Sequence, residues 1–223
     1  MNKPAAPSAT HLPSTPVQTP PRIPVEKIAE ADFPSVFGKF RICGFRLTDN
    51  RGIENAVVLV RGTPQSGKIP LVRIHSQCLT GDVFGSLRCD CREQLEMALA
   101  QVGASDYGFI IYEEKEGRGI GLMNKLLAYQ LQDEGLDTIE ANERLGFEAD
   151  LRDYRLPAGI LQYYGVSQVR MLSNNPEKLQ AMEANGIAIK ERVPVEAKPH
   201  QARVKYLQTK RDKMGHKIGE SQK

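Results

Sequence analysis

Short apolar runs fill the first third of the chain, and helical spacing takes over afterwards. Residues 40–45, Val57-Val58-Leu59-Val60 and Leu71-Val72-Arg73-Ile74 are β-branched or apolar stretches bounded by Gly and polar turn residues, and each predicts a strand. From Glu93 the period changes: Leu95, Leu99 and Val102, with Ala98 between them, mark one face of a helix. Residues 107–112 read as a strand, followed by the glycine-punctuated Glu116-Gly117-Arg118-Gly119-Ile120-Gly121. A helix then runs to about Gln132, with Leu122, Leu126 and Tyr129 on its apolar face. Residues 160–164 predict a helix and 169–172 a strand. Asn175 is the expected N-cap of a helix whose first residue is Pro176. Residues 187–193 predict the last strand. Strands first, then alternating strand and helix, imply an α/β (α+β) fold: a mixed sheet with flanking helices in a single domain.

Composition adds boundaries to this pattern. The first 24 residues hold half of the chain's 14 prolines, so residues 1–27 are expected to form a disordered Pro-rich arm. They lack the apolar core of a secretory signal. Residues 28–197 are expected to be the folded domain and 198–223 a mobile basic tail. That tail holds eight Lys/Arg against two Asp/Glu, leaving the remainder slightly acidic at 22 against 25. No aromatic residues interleave with the tail's charges in a stacking pattern, so nucleic acid is not the expected partner. No apolar run approaches membrane-spanning length, and a cytoplasmic location is expected.

Cys43 lies in the first predicted strand and reads as a small buried hydrophobe. Cys78, Cys89 and Cys91 fall within fourteen residues, in His75-Ser76-Gln77-Cys78 and Arg88-Cys89-Asp90-Cys91. Reduced thiols in this spacing point to a metal, and thiolates favour zinc. There is no second paired knuckle. Three ligands leave a fourth corner for water, as a hydrolase needs; a structural zinc closed by His75, or unrelated cysteines, also fits the spacing. A divalent ion on three thiolates keeps one net negative charge, so an anionic substrate needs cations nearby; Arg73, Arg88 and Arg92 are the candidates.

These segments, with Glu116-Gly117-Arg118 and Ser173-Asn174-Asn175-Pro176-Glu177-Lys178, closely resemble GTP cyclohydrolase II from about Phe37 to Val193. The resemblance implies hydrolysis of GTP to 2,5-diamino-6-ribosylamino-4(3H)-pyrimidinone 5′-phosphate, formate and diphosphate, the entry step of riboflavin synthesis. It implies zinc on Cys78, Cys89 and Cys91, Mg²⁺ accompanying the triphosphate, and a homodimer. It places GTP contacts at Arg73, Ile74, His75, Ser76, Gln77, Gln94, Glu116, Gly117, Arg118, Thr138, Ser173 and Lys178. It makes Asp150 a proton acceptor, Arg152 the proposed nucleophile and Tyr129 a further catalytic residue.

Read alone, the same residues have plainer roles. Tyr129 suits a core aromatic, Lys178 and Glu116 a solvated surface, and Asp150 with Arg152 a surface ion pair. The sequence also departs from the family. Gln77 stands in place of glutamate, Arg92 in place of glycine, and Ser173 in place of threonine. The chain is too short for the dihydroxybutanone-phosphate synthase domain that some relatives carry upstream, so one activity is expected. Two other readings stay open: a relative that stops at the formamide intermediate, and a zinc-stabilised nucleic-acid-binding module using the basic tail.

Overall fold

The structure, a computed structural model, describes residues 22–63, 67–147 and 152–197, together with 208, 211, 212 and 215. Among them, seven strands form one sheet in the order β1-β2-β3-β5-β4-β6-β7. The strands are β1 (Glu26–Ser35), β2 (Gly38–Asp49), β3 (Gly52–Arg61), β4 (Leu71–Ser76), β5 (Gly108–Glu113), β6 (Gln168–Leu172) and β7 (Ala188–Val193). Pairing is antiparallel from β1 through β3 to β5, then parallel from β5 through β4 and β6 to β7. The sheet is therefore mixed, as the sequence pattern predicts.

Two-residue alternation splits the core between the two faces of the sheet. Val72, Ile74, Phe109 and Ile111 join one cluster with Leu156, Ile160 and Leu161 of α5 (Arg155–Tyr163) and Met182 of α6 (Pro176–Ala184). Leu71 and Ile110 face the other way, against Ala98 and Val102 of α2 (Cys91–Ala104). Arg73 and His75 share the Leu71 side of β4, so the pleat carries two polar groups toward α2. Asn175 caps α6 as expected, its side chain accepting from the Glu177 N–H at 3.0 Å.

Several elements differ from the sequence expectation. Strand β1 begins at Glu26, and Ile23 and Val25 pack against the core; the domain edge expected at residue 28 lies inside that strand. Helix α5 starts at Arg155, well before residue 160, and two short helices, α1 (Leu79–Asp82) and α4 (Thr138–Arg144), have no counterpart in the apolar pattern. The presumed apolar face of α3 (Leu122–Asp133) is not turned to the core: Leu126 is 44% exposed, and Ala128 is the buried residue of that helix. Among the described residues no helix is long and apolar enough to cross a membrane.

Candidate active site

Strands β5 and β6 flank β4 on opposite sides, which makes the carboxyl ends of these three strands a topological switch point, the usual ligand crevice of an open α/β sheet. A cavity of about 520 Å³ opens there. It is lined by Arg73, His75, Ser76, Gln77, Gln94, Glu116, Gly117, Arg118, Ser173 and Lys178, and by Tyr129, Arg152 and the three cysteines. Chain segments as far apart as Arg73 and Lys178 thus converge on one space. Ile74 does not line it; its side chain is fully buried in the core, and its carbonyl accepts from Lys178 Nζ at 2.8 Å. Thr138 opens α4. Asp150 lies outside the described residues.

The three cysteine sulfurs lie within 4.8 Å of one another. Cys78 and Cys89 Sγ are 3.7 Å apart, close to the roughly 3.8 Å that a tetrahedral site with metal–sulfur bonds of about 2.3 Å requires. Gly81 makes the room: a Cβ there would come within 2.7 Å of Cys89 Sγ and 3.1 Å of Cys78 Sγ. Hydrogen bonds from Cys89 and Cys91, and then the charge of Lys125, push the Cys78 pKa far below its usual value. The same contacts with Cys78 raise Cys89 and Cys91. Three thiols this close ionise together only when a bound cation offsets the repulsion among the thiolates, so the donor set fits a metal ion.

His75 is not a fourth ligand. Among the described residues the cluster holds only the three cysteines, and both imidazole nitrogens are engaged elsewhere. Nε2 lies 3.2 Å from each oxygen of Asp82, and Nδ1 lies 3.5 Å from Arg73 Nη2. Burial holds the ring below its usual pKa despite Asp82. A neutral ring donating from Nε2 and accepting at Nδ1 satisfies both contacts. Asp82 also accepts from the Cys78 N–H at 3.0 Å and from Tyr112 at 2.8 Å, which fixes the cysteine loop to β5. Arg73 donates to Gln94 at 2.7 Å and to the Leu172 carbonyl at 3.0 Å.

The glycine-rich turn places two consecutive residues in left-handed conformation, Gly117 (φ 61°) and Arg118 (φ 62°). Arg118 is the one non-glycine residue with positive φ among those described, at a cost of about 1–2 kcal/mol. Strain of this kind gathers where a side chain must be aimed, and Arg118 lines the cavity. Glu116 is buried and braces the metal loop: Oε2 accepts from the Leu79 N–H at 2.7 Å, and Oε1 from Gly117 N–H at 3.1 Å and Lys125 at 2.7 Å.

Lys125 is a site residue that the sequence reading missed. Its Nζ reaches Cys78 Sγ at 3.2 Å and Thr80 at 3.0 Å besides Glu116. Burial opposes the ammonium, but Glu116 and Cys78 outweigh burial and raise its pKa above the usual lysine value. The available signal was its place four residues before Tyr129, on the same helix face. Tyr129 is not a core aromatic. Its hydroxyl lies 3.2 Å from Thr80 Oγ1, and the Arg88 guanidinium sits 4.8 Å from its ring centroid. Arg92, expected beside the cluster, instead pairs with Glu96 at 2.9 Å on the exposed side of α2, where i,i+4 spacing gives it a nearer carboxylate.

Arg152 Nη1 is 3.5 Å from Ser76 Oγ, and Lys178 is only 5% exposed. Behind them stands Glu113, fully buried, its oxygens without hydrogen-bond partners among the described residues and 3.2 Å from Lys115 Nζ. Burial raises its pKa above the usual glutamate value, against the pull of Lys115, Lys178 and Arg152. A carboxyl with a raised folded pKa binds its proton more tightly when folded, so ionising it weakens the fold as pH rises through that value. Glu113→Gln removes the penalty, while Lys115 keeps Glu54 at 2.9 Å. The melting temperature of Glu113→Gln minus that of the native protein is therefore expected to grow with pH. Thermal scans at several pH values check this; a difference that is flat or shrinks with pH contradicts it.

Comparison with known proteins adds a consistent result. The sequence model of the GTP cyclohydrolase II family matches residues 26–194. The chain is similar to "GTP cyclohydrolase-2" of Histophilus somni, 50% identical over 87% of this chain and 89% of that protein. The protein of the same name from Actinobacillus succinogenes is 48% identical over 87% of this chain and 88% of its own length. "Riboflavin biosynthesis protein RibBA" of Chlorobium phaeovibrioides is 49% identical over 87% of this chain but only 47% of that protein; the chain spans about half the length of such relatives.

Proposed function

The chain belongs to the GTP cyclohydrolase II family, and from that premise we propose that it hydrolyses GTP to the diaminopyrimidine ribosyl phosphate, formate and diphosphate, as the first step of riboflavin biosynthesis. The observation that carries this reading is a three-thiolate cluster in the same cavity as the cations Arg73, Arg118, Arg152 and Lys178. Zinc on Cys78, Cys89 and Cys91 would supply a Lewis acid able to make water nucleophilic near neutral pH.

The chain's own residues then do the rest. Arg118, Arg152 and Lys178 offset the charge of the triphosphate, which arrives with Mg²⁺; the arginines offer forked donors and the lysine a point charge. Arg152 serves as an electrostatic clamp on the α-phosphate, since a guanidinium keeps its proton and is a poor nucleophile. Glu116 Oε1 accepts from Lys125 and Gly117 and Oε2 from the Leu79 N–H, so it is the second lone pair of Oε2 that accepts from the guanine edge. Tyr129 donates its phenolic proton to the departing ring nitrogen. Gln77, neutral beside the first cysteine, keeps an acceptor oxygen without adding charge to an anionic cluster.

The proposal extends to a homodimer. Large apolar side chains are exposed after α1, at Val83, Phe84 and Leu87, and on α3, at Met123, Leu126 and Leu127, surfaces of the kind a second copy covers. It also places the enzyme in the cytoplasm, where reducing conditions keep thiols free for a metal. Mass spectrometry of the product from GTP tests the reaction. The deformylated pyrimidine is the expected product, with ATP left unchanged. Accumulation of the formamide intermediate would identify a truncated reaction instead, and intact GTP would exclude both.

A further inference from the structure

Lys125 has no place in the site that the family resemblance supplies, yet all three of its ammonium protons are engaged there. They go to Glu116 Oε1 at 2.7 Å, Thr80 Oγ1 at 3.0 Å and Cys78 Sγ at 3.2 Å. The Thr80 oxygen lies in turn 3.2 Å from Tyr129 Oη. A lysine ammonium only donates, so on that side Thr80 is the acceptor and its own proton is available to another group. Its two candidate acceptors are Tyr129 Oη and Cys78 Sγ, the latter 3.7 Å away and already served by Lys125. The phenol oxygen is the nearer and better acceptor.

We infer that Lys125 and Thr80 form a donor relay ending on Tyr129, which turns the phenolic proton into the cavity and stabilises the phenolate left when that proton is given away. The step balances. The Tyr129 O–H proton passes to the ring nitrogen as that nitrogen takes the electron pair of its breaking bond to carbon. The phenolate so formed accepts the Thr80 hydroxyl, with Lys125 behind it, until solvent water returns a proton. Arg88, 4.8 Å from the ring centroid and paired with Asp133 at 2.6 Å, holds the ring in place during the exchange. Thr80 and Lys125 are thus positioning residues. The inference rests on Tyr129 being the proton donor of the proposed reaction.

The test is a cycle of Thr80→Val, Tyr129→Phe and the double variant, with Thr80→Ser as the conservative change. Each metal-loaded protein is measured for kcat and KM on GTP and for metal content. Thr80→Val is expected to lower kcat roughly tenfold, the worth of about one hydrogen bond, at unchanged KM and metal content. Thr80→Ser restores most of the rate. In the Tyr129→Phe background Thr80→Val costs nothing further, because its acceptor is gone. Losses that multiply, a Thr80→Val enzyme of native rate, or one that sheds its metal would each overturn the relay while leaving the proposed reaction standing. Tyr129→Phe of native rate would remove the proton-donor reading itself, and the relay with it.

Discussion

Cys89→Ser is expected to release the metal and lower turnover on GTP by at least about a thousandfold, beyond the 10- to 100-fold that outer-shell partners of metal ligands cost. A serine hydroxyl keeps its proton at neutral pH, so the exchange removes one of three anionic donors and leaves a weak neutral one. The geometry gives no substitute: His75 is tied to Asp82 and Arg73, and among the described residues the cluster contains no fourth candidate ligand. Cys43→Ser is the matched control, since Cys43 is buried in the core beside the Tyr164 hydroxyl. Elemental analysis should find about one metal per chain in Cys43→Ser and almost none in Cys89→Ser. Equal metal content in the two would mean that the cysteine trio is not the site.

Gly81→Ala is expected to damage the same centre through space alone. The backbone at Gly81 asks for no positive φ, so alanine meets no torsional obstacle there. Its Cβ, however, would stand 2.7 Å from Cys89 Sγ, 3.1 Å from Cys78 Sγ and 3.1 Å from Cys91 Cβ, which are distances that force the sulfurs apart. Overpacking of this kind costs about 1–3 kcal/mol. Sulfurs spread beyond the roughly 3.8 Å of a tetrahedral site bind the ion less well. Metal affinity should fall by tenfold or more, on the order of one hydrogen bond's worth of free energy or above, together with a lower melting temperature. Competition with a chromophoric chelator measures the first and a thermal scan the second. Native affinity in Gly81→Ala would show that the trio tolerates a wider spacing than a single tetrahedral ion allows.

Much of this site is written in short stretches of sequence. The cysteine spacing is local, and α1 and the first turn of α2 need only fold over Gly81 to bring Cys78, Cys89 and Cys91 together. Arg73 and His75 were legible as well, because two-residue alternation puts them on one side of β4. Other features depend on neighbours that no local pattern names. Lys125 shares a helix face with Leu122 and Tyr129 and reads as an interruption of an apolar stripe, yet α3 turns that face over the cavity, which Lys125 and Tyr129 both line. The period was right and the orientation was not. Glu113 ends an apolar strand and reads as its exposed terminus; it is fully buried because Lys115 and the cations around the cavity accompany it. Strand β1 escaped notice because most of its residues are exposed, which leaves no alternation to see, while Ile23 and Val25 pack inward from a stretch that proline content marked as an arm. Arg92 was assigned by its place next to Cys91 in sequence, but the helix points it at Glu96.

The central claim is that one metal on Cys78, Cys89 and Cys91 serves a cavity that opens the guanine ring of GTP. Formate release measures this most directly, with metal-stripped and zinc-loaded protein given the same GTP and Mg²⁺. The account predicts one formate for each GTP consumed by the loaded enzyme and none from the stripped one. Formate production that is indifferent to zinc, or GTP left intact by a fully loaded protein, would contradict it.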